Sequence, residues 1–167
     1  VVLRWLKKQL STDCPKIMHN APYDLGWLKA LNIPVNGPII DTMIMAALLD
    51  ENRYSFSLNA LSYDYLGEAK SEKLLTQAAV DFGVDPKAEL WKLPSQFVGP
   101  YAEMDARLAF DLYKFFKLEI NKQDLNTVWD LETRLTPCLI DMTFRGIRVD
   151  MDRCERTKQA LIKREKA

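Results

Sequence analysis

His19-Asn20-Ala21-Pro22-Tyr23-Asp24 is the stretch on which the reading of this chain turns. A short apolar run, Lys16-Ile17-Met18, precedes it, and Leu25-Gly26-Trp27-Leu28-Lys29-Ala30-Leu31 follows with helical spacing. Asn is a favoured N-cap, and Pro22 suits a first helical turn, where a missing N–H costs nothing. The stretch therefore predicts a strand running straight into a helix, with Asp24 in the helix's first turn. In α/β folds ligands collect at that junction, beyond the carboxyl end of a strand and at a helix N-terminus. A second stretch, Tyr101-Ala102-Glu103-Met104-Asp105, lies in a long amphipathic segment. Residues at this spacing share a helix face, so Tyr101 and Asp105 go together. An Asn-x-x-x-Asp on one element and a Tyr-x-x-x-Asp on another can line one cleft.

Working outward, residues 2–10 read as a helix with Leu3, Leu6 and Leu10 inward, and 11–15 as a turn. Residues 32–38 are dense in turn formers, and Ile39-Ile40 is the stub of a second strand. Asp41 caps a helix through Leu49, and Ser55 or Ser57 caps another over 58–66, closed by Gly67. A helix over 71–82 and a helical turn over 86–93 lead to the long helix, which starts at Pro94-Ser95 and reaches about Ile120. The polar break at 121–124 marks a change of character. A helix over 128–144 follows, with Val128, Leu131, Leu135, Cys138, Leu139 and Met142 in one apolar stripe, and a charged helix begins at Met151. The expectation is an α/β chain with about eight helices and two or three short strands. Two parts are expected, residues 1–120 and residues 121–167.

The bulk numbers narrow the class. The chain has 167 residues, enough for one domain with a proper core or for one domain and part of another. Nearly half the residues are apolar and 28% are charged, as in a soluble globular protein. Basic and acidic residues balance at 23 each, so any nucleic-acid binding must come from local patches. Cys14, Cys138 and Cys154 form no Cys-x-x-Cys pair, which fits buried thiols in a reducing, cytoplasmic compartment. No apolar run is long enough to span a bilayer, and the N-terminal pattern is not that of a signal peptide. It begins in mid-pattern and without Met, which suggests a piece of something longer.

Carboxylates gathered from separate elements suit Mg²⁺ or Mn²⁺, which prefer oxygen ligands. A pair of such ions about 4 Å apart can hold the attacking and leaving oxygens of a phosphodiester in line. Asp24 and Asp105 are the candidate ligands, and Tyr101 is a candidate for orienting the water. Each has a plainer reading: Asp24 as a first-turn acid favoured by the helix dipole, Asn20 as a cap, Tyr101 as a core aromatic. Asp105 in mid-helix is less comfortable, because Asp is a poor interior helix residue. Asp41 reads as a cap, and His19, the only histidine, as a satisfied strand-end residue. Arg53, Lys70, Lys73, Lys87 and Lys92 read mostly as solvated surface, with some capacity to guide a phosphate backbone.

Taken together, these motifs resemble the 3'-5' proofreading exonuclease domain of family A DNA polymerases, of bacterial or bacteriophage type. His19 to Asp24 is similar to that family's Asn-x-x-Tyr-Asp motif, and Asp41-Thr42-Met43 to the Asp-Thr-Met that follows it. Ser57-Leu58-Asn59-Ala60-Leu61 with Tyr65-Leu66-Gly67 resembles the next segment, and Tyr101 to Ala106 the Tyr-Ala-x-x-Asp-Ala motif. Glu132 to Met142 and Gly146-Ile147-Arg148-Val149-Asp150 resemble the segment leading into the polymerase domain. The resemblance implies a ribonuclease H-like fold and a Mg²⁺ or Mn²⁺ pair, with Asp105 holding one ion directly and Asp24 serving the other through water. It implies that Tyr101 positions the nucleophilic water and that Asn20 touches the substrate. That substrate is a single-stranded or frayed 3' end of DNA, from which nucleoside monophosphates are released. The implied setting is the bacterial cytoplasm or a phage-infected cell.

One departure shapes the expectations. The family's first motif, an Asp-x-Glu on the first sheet strand, has no counterpart before Asp24. The sequence thus reads as truncated at both ends, with an incomplete metal site, an inactive fragment and a sheet edge open to self-association. The polymerase domain of the same parent chain is the expected partner. Two other classes compete: a ribonuclease D-like or Werner-like exonuclease, and a non-catalytic helical binding module in which both aspartates are surface acids.

Overall fold

The computed structural model describes residues 2–68, 73–86 and 88–166. Its elements in chain order are α1 (Val2–Leu10), β1 (Lys16–Met18), α2 (Ala21–Ala30), β2 (Ile39–Asp41), α3 (Thr42–Leu49) and α4 (Leu58–Leu66). They continue with α5 (Lys73–Phe82), a 3-10 turn at Leu90–Lys92, α6 (Ser95–Lys122), α7 (Asn126–Arg145) and α8 (Met151–Glu165). The described chain is thus a mostly helical α/β structure with one two-stranded sheet. The strands are parallel, in the register Lys16↔Ile39, Ile17↔Ile40, Met18↔Asp41. Parallel strands need a crossover, and α2 supplies it.

Helix α6 is the spine, packing against α3, α4, α5, α7 and β1. Its Leu112, Phe116 and Ile120 are fully buried and meet Ile40, Met45, Ala46 and Leu61 in the main core. These three α6 positions are four residues apart, which stacks them on one face of the helix. A second cluster joins α2, β2 and α7 through Ala21, Leu25, Ile39 and Ile140. A third seats α5 against the N-terminal part of α6 through Leu75, Ala78, Ala79 and Leu93.

Backbone punctuation follows the expected chemistry. Gly67 closes α4 with φ 69 and ψ 14, and its N–H returns to α4 carbonyls. Ser57, not Ser55, caps α4, accepting from the Ala60 N–H at 3.3 Å. Gly37 has φ +81 and lies so close to the 11–15 turn that a Cβ there would be 2.5 Å from the Cys14 carbonyl oxygen. Asn36 reinforces this contact, its N–H donating to Leu10 O at 2.9 Å and its amide to Ser11 O at 3.0 Å.

Several expectations are corrected. Leu3 is 61% exposed, while Leu6 and Leu10 are half-buried, so the apolar face of α1 is covered only in part. The 86–93 segment contracts to the 3-10 turn, and the 71–82 helix is described only from Lys73. The stripe on α7 faces outward, with Leu131 at 55% and Met142 at 65% exposed. Its buried face carries Thr136 and Ile140 instead, because α2, β2 and α3 lie on that side. All three cysteines are exposed, Cys138 on that outward face. Arg53 is not free surface: it pairs with Asp64, and its guanidinium lies over the Tyr65 ring. Lys92 pairs with Glu89, while Lys70 and Lys87 lie outside the described residues.

Candidate active site

The cleft forms where β1 ends, α2 begins and α6 passes. His19, Asn20 and Asp24 line it from the first junction, and Asp105, Ala106 and Ala109 from α6. Met43, Ser57 and Leu58 contribute from α3 and the start of α4, and the cavity holds about 480 Å³. That volume is within the range of small-molecule sites. Asn20, Asp24 and Asp105 therefore share one cleft. Tyr101, one turn before Asp105 on α6, is not among the lining residues. Its ring packs against the cluster formed by Leu75, Ala78, Ala79 and Leu93.

The N-terminus of α2 is not built as an ordinary cap. Asn20 occupies the N-cap position, yet its backbone is left-handed, with φ 61 and ψ 51, and its side chain makes no capping bond. Asp41 reaches across from the neighbouring strand to the N–H groups of the cap residue and of the first helical residue. One carboxylate oxygen accepts from the Asn20 N–H at 3.0 Å and the other from the Ala21 N–H at 2.8 Å. The first oxygen also accepts from the Met43 N–H at 2.9 Å, so Asp41 caps α3 as well. The parallel register, which pairs Asp41 with Met18, brings it there. Next to it, the Thr42 hydroxyl donates to Met18 O at 3.1 Å and lies 2.9 Å from His19 Nδ1.

Asp24 sits in the first turn of α2, at the positive end of that helix. Part of its side chain reaches solvent, but burial of the carboxyl raises its pKa, and the Asp41 carboxylate adds to the rise. A carboxylate held near another negative group, in a cleft with a second acid on the facing helix, is a setting that a cation relieves. Hard divalent cations are the chemical match, since Mg²⁺ commonly binds through one or two carboxylates with water and substrate phosphates completing its shell. Among the described residues no group of three or more His, Cys, Asp or Glu is arranged to hold an ion. Asp24 and Asp105 are the two acids that line the cleft.

A model of the 3'-5' exonuclease of family A DNA polymerases matches residues 2–121. The chain belongs to this exonuclease family. Its curated relatives agree with that assignment. A "DNA-directed DNA polymerase" of Pseudomonas phage M6 is 38% identical over 98% of this chain and 25% of its own length. "DNA polymerase DpoZ" of Acinetobacter phage SH-Ab 15497 is 33% identical over 94% of this chain and 26% of its own. "DNA polymerase I" of Synechocystis sp. is 26% identical over 88% of this chain and 14% of its own. The exonuclease chain therefore spans about a quarter of the length of the phage relatives. No helix among its described residues is long and apolar enough to cross a membrane.

The sequence reading missed what Asp41 and Thr42 do across the strand pair. Asp41 was legible as the cap of α3, but no local pattern links it to residues 20 and 21. It also missed that Met43, Ser57 and Leu58 line the cleft, for the same reason.

Proposed function

We propose that the chain is the 3'-5' exonuclease part of a phage or bacterial DNA polymerase, acting in the cytoplasm on the single-stranded or frayed 3' end of DNA. Residues 1–120 are the exonuclease part, of ribonuclease H-like fold, and residues 121–167 lead into the polymerase domain of the parent chain. The observation that carries this reading is the convergence of Asn20, just ahead of α2, and Asp24 in its first turn with Asp105 from α6 on one cleft. The names of the relatives favour a DNA polymerase over a ribonuclease D-like or Werner-like enzyme. The shared cleft argues against a helical module whose acids are merely on the surface.

Asp105 would hold one Mg²⁺ or Mn²⁺ directly and Asp24 would serve a second through water. Such ions neutralise phosphate charge and make water a stronger nucleophile. The chain's own residues do the rest. Asn20, whose side chain makes no capping bond, offers its amide to the terminal nucleotide. The α2 N-terminus adds a positive dipole end beside the scissile phosphate. Tyr101 would orient the attacking water, which requires its ring to turn from the α5 cluster toward Asp105. Two acids make a weak ion site, so the 167 residues by themselves should bind a 3' end without measurable hydrolysis.

The test is binding of a fluorescent single-stranded oligonucleotide with a free 3' end, against a covalently closed circle of the same bases, in Mn²⁺. The linear form should bind more tightly, and Asp105→Ala should abolish the difference. Equal binding of line and circle, unaffected by Asp105→Ala, would overturn the assignment.

A further inference from the structure

We infer that Asp41 and Thr42 are positioning residues that hold the cleft lip in place from the neighbouring strand, so that Asn20 is kept turned to the substrate. This rests on the proposed role of Asn20 in touching the 3' end. A helix needs acceptors for its first N–H groups, and an N-cap asparagine normally supplies one itself. At α2 the second position is Pro22, which has no N–H, and the Tyr23 N–H bonds to the Asn20 carbonyl oxygen at 3.0 Å, so neither N–H that an N-cap side chain takes is left for Asn20. Asp41, 5% exposed, takes the Asn20 and Ala21 N–H groups on separate oxygens while capping α3 through Met43. The asparagine side chain makes no capping bond, and Asn20 lines the cleft.

The left-handed backbone at Asn20 needs an external hold. Non-glycine residues visit that region at a cost, and such conformations persist where the surroundings over-determine them. Asp41 supplies the hold on the C-terminal side of the bend, and Thr42 on the N-terminal side. The Thr42 hydroxyl has a single hydrogen, which it gives to Met18 O at 3.1 Å. Its oxygen also lies 2.9 Å from His19 Nδ1, within hydrogen-bond distance, so Thr42 ties the ring of His19 as well as the Met18 carbonyl. The two residues together engage the backbone or ring of Met18, His19, Asn20 and Ala21 consecutively. Asp24 follows one turn later and lines the same cleft as Asp105.

The test uses the full chain with Asp41→Asn, Thr42→Val and Thr42→Ser. Asp41→Asn keeps the shape but presents an amide donor to one of the N–H groups. Amide exchange at Asn20 and Ala21 should speed up on the order of 10- to 100-fold in Asp41→Asn, as expected for a lost hydrogen bond to a charged acceptor. Exchange at Leu112 and Phe116, in the α6 core, should be unchanged. Affinity for the linear oligonucleotide should fall in parallel, by Thr42→Val as well, and Thr42→Ser should restore it. Acceleration spread evenly over the chain would make both residues merely structural and overturn the inference. Local acceleration with unchanged affinity, or a Thr42→Ser as poor as Thr42→Val, would also overturn it. If the wild-type chain binds no 3' end, the proposed function fails. Exchange then still judges the clamp: local acceleration supports the hold on residues 20 and 21, and its absence refutes it.

Discussion

Substitutions at Asn20 separate two accounts of the same residue. As an ordinary N-cap, Asn and Ser would be about equal, Gly a few tenths of a kcal/mol worse, and Ala worst. The structure sets a different order, because Asn20 is left-handed and its side chain caps nothing. In that conformation an L-residue costs about 1–2 kcal/mol, which Asn bears better than most and Gly hardly at all. Asn20→Ser should therefore lose about 1 kcal/mol, and Asn20→Ala a similar amount. Asn20→Gly should stay within about 0.5 kcal/mol of wild type, its easier backbone offset by greater freedom when unfolded. For a chain of this size about 1 kcal/mol corresponds to roughly 2–4 °C in Tm. Urea unfolding followed by circular dichroism, with a constant slope across the series, measures these differences. The same Asn20→Gly chain should bind the 3'-ended oligonucleotide about 3- to 10-fold less tightly, the range for one lost hydrogen bond. An order in which Ser equals Asn and exceeds Gly in stability would refute the reading that the Asn20 side chain caps nothing and that its left-handed backbone sets the cost.

Other outcomes follow from particular contacts. Gly37→Ala places a Cβ 2.5 Å from Cys14 O and 2.7 Å from Asp13 O at φ +81, so it should cost roughly 2–4 kcal/mol, read as a lower urea midpoint. On α7, Ile140→Ala should cost about 2–5 kcal/mol, whereas Leu131→Gln on the outward stripe should stay within about 0.5 kcal/mol; thermal unfolding of both distinguishes the faces. Asp24 has a pKa raised in the folded state, so its ionisation costs stability, a penalty absent below its unfolded pKa and complete above its folded one. Asp24→Asn should thus raise Tm at pH 7, and the gain should vanish near about pH 3. Asp141, lowered chiefly by its bond from Lys29, has the opposite sign. Its contribution is present above its unfolded pKa and lost as pH falls through the folded one, so Asp141→Asn should lower Tm at neutral pH and not in acid.

The fold was legible where the signal is local. The α2 start was marked by Pro22, α4 by Ser57 and Gly67, and α6 by Pro94-Ser95, because caps and breakers act within a few residues. Which face of a helix is buried was less legible. The α7 stripe from Val128 to Met142 has good periodicity yet faces outward, while Thr136 and Ile140 go inside. Periodicity says that a helix has two faces, and only its neighbours decide which is covered. The Leu3 position on α1 and the three exposed cysteines were misjudged for that reason.

At the site, sequence alone determined the chemistry available: Asn20 and Asp24 one turn apart at a strand-to-helix junction, and Asp105 four residues after Tyr101 on a long helix. Those are short-range relations, set by residue type and helical pitch. The tertiary structure decided the rest. It brought Asp105 to Asp24's cleft by laying α6 against β1, left the Tyr101 ring on α5, and tied the Asn20 and Ala21 N–H groups to Asp41. That last assignment depends on the parallel pairing of Met18 with Asp41, a contact between residues far apart in the chain. No spacing rule encodes such a contact, since it exists only once the strands are in register.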